Sequence, residues 1–375
     1  MGGFASQQMR GLWNPAATCR RFTSMLIFNS APFVALLSAV LFGASTPFAK
    51  LLLGEGLGPF LLAGLLYLGS GAGLAAFSLA RRVTGAGAVE APLRRADLPR
   101  LALVVFFGGV AGPVLLMTGL ATTSASSASL LLNVEGLATM AIAWIVFRES
   151  VDRRLLVGAA AILAGAVVLS WQGETGHLGL GAIAIIGACL AWGIDNNLTR
   201  KLSVADPIQI AMIKGLVAGS VNLFLGLAAG DALPTSGQVA LAGVIGFLGY
   251  GVSLALFVVS LRHLGAARTG AYFSTAPFIG AVIAVAMFGD PLTVQFAIAA
   301  VLMAIGVYLH LTEVHDHAHG HEALEHEHRH VHDEHHLHTH GPADPPGEPH
   351  SHRHRHAPLV HKHPHYPDLH HRHVH

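Results

Sequence analysis

Residues 127–149 read SASLLLNVEGLATMAIAWIVFRE, an apolar run that carries one amide, Asn133, and one interior carboxylate, Glu135, and closes on a charged cluster. About 20 such residues are enough to cross the ~30 Å hydrocarbon core of a bilayer as a helix. The pattern returns at an offset of 141: Ala128 to Glu149 falls on Thr269 to Asp290, TGAYFSTAPFIGAVIAVAMFGD, so that Phe147-Arg148-Glu149 meets Phe288-Gly289-Asp290 without a gap. A second echo, at an offset of 150, matches Phe42-Gly43 and Lys50 with Trp192-Gly193 and Arg200. The chain is therefore two related halves, and duplication of a hydrophobic unit points to a membrane fold built from structural repeats.

Composition agrees. Hydrophobic residues make up 53% of the chain and charged residues only 11%, with 43 glycines, and mean hydropathy is positive although a polar tail dilutes it. This is the balance of an all-α polytopic membrane protein rather than of a soluble domain. The net charge of +1 hides an asymmetry, since charges and histidines sit in loops and tail while the apolar runs are nearly bare. Nothing in that distribution suggests nucleic acid. Cys19 and Cys189 are too far apart in the pattern to form a disulfide framework or a thiolate metal site, and read as packing residues. Residues 1–31 form a weakly hydrophobic N-terminal segment with basic Arg20 and Arg21, expected inside the cell; translation can begin at Met1 or at Met25.

Ten hydrophobic spans follow: Pro32 to Leu53, Gly58 to Ala80, Leu98 to Leu120, Ala125 to Phe147, Leu155 to Trp171, Leu178 to Leu198, Pro207 to Ala229, Gln238 to Leu261, Thr269 to Phe288 and Leu292 to Leu311. Arg81, Arg82, Arg94 and Arg95 follow span two, Arg148, Arg153 and Arg154 span four, Arg200 and Lys201 span six, Arg262 and Arg268 span eight. The opposite loops carry Glu55, Glu174, His177, Asp231 and Asp290, with Lys50 the only base near them, so both termini are expected to be cytoplasmic. With five spans per half, the second copy (178–311) sits upside down relative to the first (32–172), an inverted repeat around a midplane site. Pro47, Pro113 and Pro277 lie inside spans, where each frees a backbone carbonyl.

The duplicated unit, the Leu132-Asn133-Val134-Glu135-Gly136 segment, the Phe147-Arg148-Glu149 terminus and the Phe/Trp-Gly motifs of spans one and six resemble the EamA-type carriers of the drug/metabolite transporter superfamily. The resemblance covers about Pro32 to Leu311. It implies ten helices in two inverted five-helix repeats, a bacterial inner-membrane location, and movement of small metabolites or drugs, often coupled to protons. Two departures stand out. The proline that commonly follows the span-four carboxylate is Gly136 here, although Pro277 keeps it in the second copy, and the tail is an addition.

Charged side chains inside a membrane cost at least ~2.5–3.5 kcal/mol each, so each asks for a reason. Glu135, near the middle of span four, has to face a wet cavity, pair with a cation or carry its proton, and it is the leading coupling candidate. Asn133, about 200° away on a continuous helix, belongs to a separate seam with Ser126, Ser129 and Gly136 that reads as helix packing as readily as substrate contact. Span six carries Asp195, Asn196 and Asn197; span seven carries Lys214 and Asn222. Asp195 and Lys214 lie ~7 and ~10 Å inside the same boundary on antiparallel helices, so an ion pair is geometrically natural. That pair is read either as a gate or substrate-binding element or as a lock on helix register. Trp171 and Trp192, near span ends, read as interface anchors. No phosphate loop, GxSxG elbow or HExxH occurs, and an enzyme is not expected.

After Leu311 the chain changes character. Residues 312–375 hold most of the 26 histidines in HDHAHGHEALEHEHRHVHDEHHLHTH and a second His-rich stretch beyond a Pro/Gly break, with no apolar periodicity, and read as a disordered cytoplasmic tail. His315, His317, His319, His321, His326, His328, His330, His332, His335, His336, His338 and His340 suit nitrogen-only binding of zinc, nickel, cobalt or copper(II). The spans offer no matching ligands: His177 and His263 are in loops, His310 at a helix end, and Cys189 stands alone. The expectation is therefore a secondary transporter of a small organic solute, working by proton exchange in the bilayer, with no required cofactor. The alternatives are a divalent-metal exporter fed by the tail and a metal-sensing membrane protein. Solute, direction and the choice between monomer and homodimer stay open.

Overall fold

A computed structural model describes residues 15–84, 93–147, 153–172, 177–200, 202, 206–257, 259–260, 269, 272–312, 315–321, 325–330, 350–355 and 359–365; before residue 32 and in the tail it describes backbone alone. Arg148, Glu149, Glu174, Lys201, Arg262, His263, Arg268 and tail histidines His332, His335, His336, His338 and His340 lie outside those residues. Among the described residues, nine helices are long and apolar enough to cross a membrane: Pro32–Gly54, Pro59–Val83, Arg95–Thr122, Ala125–Val146, Arg153–Ser170, Leu180–Thr199, Ile208–Ala228, Ser236–Phe257 and Val294–Leu311. The shorter apolar helix Ala276–Phe288 forms most of the described part of the remaining span. The first helix begins at Pro15, well upstream of its apolar run, and passes through Pro32 and Pro47.

The spans pair as an inverted repeat requires. Span two packs along span seven and span five along span ten, while span one lies against span nine and span six against span four. Each half thus inserts its first helix beside the fourth helix of the other. Small residues make the contact possible where lipid supplies no hydrophobic drive. A Cβ on Gly71 would lie 2.5 Å from Leu216 N, and one on Gly215 2.6 Å from Gly71 N, so spans two and seven meet backbone to backbone. The glycine of each Phe/Trp-Gly motif does the same between halves: Gly43 faces Ala276 and Gly280, and Gly193 faces Ala138 and Thr139. Gly289, at φ 65°, ends span nine in the left-handed region that glycine adopts without steric cost.

Two spans depart from regular helix in corresponding places. Span three widens to a π-helix over Val105–Ala111 and span eight over Phe247–Val252. Span four, treated from sequence as one continuous helix, is two: Ala125–Leu131 and Val134–Phe147, separated by a turn at Leu132 and Asn133. Its counterpart in span nine breaks at Ser274 and Thr275, just before Pro277. The angular separation expected of Asn133 and Glu135 does not apply across such a break.

A short antiparallel pair, Trp171–Gln172 with His177–Leu178, connects the halves. In the tail His315–His321 pairs antiparallel with Leu359–His365, and Glu325–His330 with His350–Arg355. His-X-His alternation is also the period-two pattern of a strand, and these four segments follow it.

Candidate functional site

The break in span four places Glu135 in the first turn of the helix Val134–Phe147. There the unsatisfied N–H groups favour a carboxylate. The carbonyls on the other side of the break gain side-chain partners. Asn133 Nδ2 donates to Leu130 O at 2.8 Å and approaches Met303 Sδ at 3.9 Å, while Cys189 Sγ donates to Leu131 O at 3.7 Å. Asn133 is thus turned toward span ten and holds the break. Cys189 helps hold it from span six, a role that its isolation in the sequence does not suggest.

Glu135 is only partly buried and its neighbour Gly136 is exposed; a Cβ built on Gly136 would meet nothing within 4 Å. The carboxylate-bearing residue therefore keeps part of its surface exposed, at the exposed Gly136 step of the helix. Asn196, exposed on span six, donates through Nδ2 to Glu135 Oε1 at 3.0 Å and to Thr139 Oγ1 at 3.1 Å. One residue on, buried Asn197 donates to Thr139 O at 3.0 Å and to Gly193 O at 2.8 Å, which fastens span six to span four.

On the far face of span six, Asp195 is 5% exposed and its Oδ2 pairs with Lys214 Nζ from span seven, as the spacing predicts. Thr199 Oγ1 donates to Asp195 Oδ1 at 3.0 Å, so both carboxylate oxygens are engaged. Glu135 lies within Coulombic reach of both members of the pair. Two carboxylates and one ammonium thus share the centre of the bundle, among the described residues.

The pair rests on the π-helix of span three. Pro113 has no N–H to offer Gly108 O or Gly109 O, the acceptors five and four residues before it. Side chains replace it: Tyr67 Oη donates to Gly108 O at 2.7 Å, Trp192 Nε1 to the same oxygen at 3.1 Å, and Asn222 Nδ2 to Gly109 O at 2.9 Å. Gly108 itself lies flat against Asp195 and Lys214, whose carboxylate and ammonium occupy the space a Cβ would need. Trp192, expected as an interface anchor, is instead 6% exposed and ties span six to span three. Its indole N–H has the freed carbonyl to satisfy, whereas Trp171 remains exposed at the end of span five. Asn222 is 0% exposed and its Oδ1 has no partner among the described residues.

At the opposite end of the bundle, Lys50 Nζ donates to Leu120 O at 2.6 Å and Ala121 O at 3.2 Å, holding span one to the end of span three. Asp290 Oδ2 accepts from Ser126 N at 3.0 Å and Ser126 Oγ at 2.6 Å, holding the span-nine loop to the start of span four. Of the seam expected on span four, Ser126 therefore serves this clamp, Ser129 packs on Gly280, and neither reaches Glu135. No three His, Cys, Asp or Glu side chains converge as a metal site among the described residues.

Comparison with known proteins gives this geometry a setting. The profile of the EamA-like transporter family matches the chain twice, over residues 29–171 and 179–312. A transporter of Methanothermobacter thermautotrophicus is 32% identical over 60% of this chain and 67% of its own length. A probable amino-acid metabolite efflux pump of Salmonella typhimurium is 27% identical over 50% of this chain and 67% of its own. An inner membrane transporter of Escherichia coli, YedA, is 24% identical over 74% of this chain and 92% of its own. One crystal structure superposes with a TM-score of 0.57 at 18% identity, over 75% of this chain and 95% of that one, a likeness of fold.

Proposed function

The chain belongs to the EamA-like transporter family, and from that premise we propose that it is a proton-coupled exporter of a small organic solute, with Glu135 as the exchanging group. The observation that carries the reading is the half-open carboxylate at the start of a broken helix, held by a neutral amide beside the Asp195–Lys214 pair. Carriers use such discontinuous helices to bring helix ends to the midplane. A carboxyl exposed first to one side and then to the other exchanges its proton for solute. Asp195 and Lys214 fix the register of spans six and seven around it, and Lys50 with Asp290 closes the other end. The family consists of transporters, and we assign the chain no catalytic activity. Basic loops after the even spans support cytoplasmic termini, and the similarity to YedA supports a bacterial inner membrane.

The test compares metabolites and metals inside and outside cells that make the full chain, Glu135→Gln, or no protein. The expected result is one organic solute depleted inside with the full chain and restored to the no-protein level by Glu135→Gln. Equal depletion by both proteins would remove Glu135 from the mechanism, and no redistributed solute would remove transport.

The tail supports a second reading of its own. Its strand register sets His315, His317 and His319 opposite His365, His363 and His361, and His326, His328 and His330 opposite His354, His352 and His350. Directly opposed residues in an antiparallel pair lie ~4.5–5.5 Å apart at Cα, and a sequence this rich in histidine suits zinc, nickel, cobalt or copper(II). We propose that the tail buffers such an ion while the spans carry an organic solute. Removing residues 314–375 should then abolish metal retention by the purified protein and leave solute export intact; loss of metal tolerance with the truncation would favour metal as cargo.

A further inference from the structure

The charge at the site is unbalanced. Lys214 is committed to Asp195, whose second oxygen is taken by Thr199, and the hydrogen-bond donor to the Glu135 carboxylate is the neutral amide of Asn196. A carboxylate at this depth calls for a cation, which is either a proton or a positive group on the ligand. Glu135 is itself only partly buried, which leaves its carboxylate accessible to the second.

A row of rings leads away from this point. Tyr67 and Tyr250, both within Coulombic reach of Glu135, stand 5.4 Å apart at their centroids. From Tyr250 the row continues to Phe42 at 6.0 Å, from Phe42 to Phe273 at 5.2 Å, and from Phe273 to Phe257 at 4.7 Å. Tyr250, Phe42, Phe273 and Phe257 are all only half-buried. Phe257 ends span eight and Phe273 opens span nine, so the row runs from the midplane toward the end of the bundle where the basic loops lie. Ring faces attract ammonium groups and accept flat apolar bodies.

We propose that the ligand is an organic ammonium ion with an aromatic or bulky apolar body, its charge taken by Glu135 in place of a proton and its body laid along the Tyr250–Phe42–Phe273 row. The assignment rests on the transporter reading and narrows it. A zwitterion fits less well, because a ligand carboxylate would need a cation and Lys214 is already held by Asp195. The groups that interact electrostatically with Glu135 from neighbouring spans include Asn196, Asp195, Lys214, Tyr67, Tyr250 and Cys189, and among the described residues of that set Lys214 is the one cation.

Three probes of one shape separate the classes: phenethylamine, phenylalanine and 3-phenylpropanoate, titrated calorimetrically into the purified full chain in buffers of different ionisation enthalpy. The amine should bind at least tenfold tighter than the other two and release about one proton per site. Glu135→Gln should lose both the preference and the proton. Phe273→Leu, which keeps an apolar side chain but removes a ring, should weaken the amine on the order of threefold while still releasing the proton. Equal affinity for the three probes, or an unchanged preference in Glu135→Gln, would overturn the ammonium assignment; should the Gln variant not fold, unchanged amine affinity in Phe273→Leu would do so. Counterflow in proteoliposomes tells this failure from the other: flux of phenylalanine that the amine does not inhibit overturns the ammonium site and leaves the transporter, whereas tight amine binding without counterflow of any probe keeps the site and removes transport.

Discussion

Lys214 and Asp195 depend on each other in a way a surface pair does not. Removing one partner of a buried pair leaves a charge in low dielectric and costs ~3–5 kcal/mol, whereas replacing both with apolar or neutral groups of similar size is close to neutral. Lys214→Met alone should therefore lower the thermal midpoint in detergent sharply, and Lys214→Met with Asp195→Asn should recover most of it; equal losses in the single and double variants would mean the pair does not stabilise the bundle. Asn133 belongs to the break and not to the ligand, so Asn133→Leu should cost ~1 kcal/mol through its lost hydrogen bond to Leu130 O and leave solute preference unchanged. A shift in preference would return it to the binding site. The charges at this scale were legible because an ionised side chain in an apolar run is conspicuous. Trp192 and Tyr67 were less so: an aromatic within an apolar span looks like ordinary packing until the oxygen it bonds is known, whereas Asn196 already stood among the polar residues of span six.

Helices read as regular cylinders are where sequence reasoning fell short. Pro113 was a visible breaker, but that it would leave Gly108 O and Gly109 O to Tyr67, Trp192 and Asn222 depends on which helices lie alongside. The turn at Leu132 and Asn133 has neither proline nor glycine at the break itself, and its only advance sign was the alignment of Gly136 with Pro277. The two glycines beside these irregularities make a matched experiment. Gly108→Ala drives a methyl group into the Asp195–Lys214 pair and should cost ~1–3 kcal/mol by overpacking, together with transport. Gly136→Ala meets nothing within 4 Å and should leave stability within ~0.5 kcal/mol or slightly raised. Comparable destabilisation in both would contradict the packing described for span three.

The molecule as a whole is two five-helix units of opposite orientation, each lending its first helix to the other; the offsets of 141 and 150 disclosed the duplication and the odd number of spans per half its inversion, while the exchange of first helices is seen only in the packing. The clamp at the far end was not legible, since Lys50, Ser126 and Asp290 are distant in sequence and meet only once the halves interlock. If that clamp closes one side of an alternating carrier, Asp290→Asn should increase thiol labelling of a cysteine placed at Ser127 without lowering stability by more than the loss of one charged hydrogen bond, ~1.5–3 kcal/mol. Unchanged labelling would confine Asp290 to a capping role. The central claim, that a duplicated bundle exchanges solute for a proton at Glu135, is tested most directly in proteoliposomes with a trapped pH dye and the solute identified in cells. Adding solute to one side should move protons the other way in the full chain and not in Glu135→Gln; proton movement of equal size in both would contradict the account.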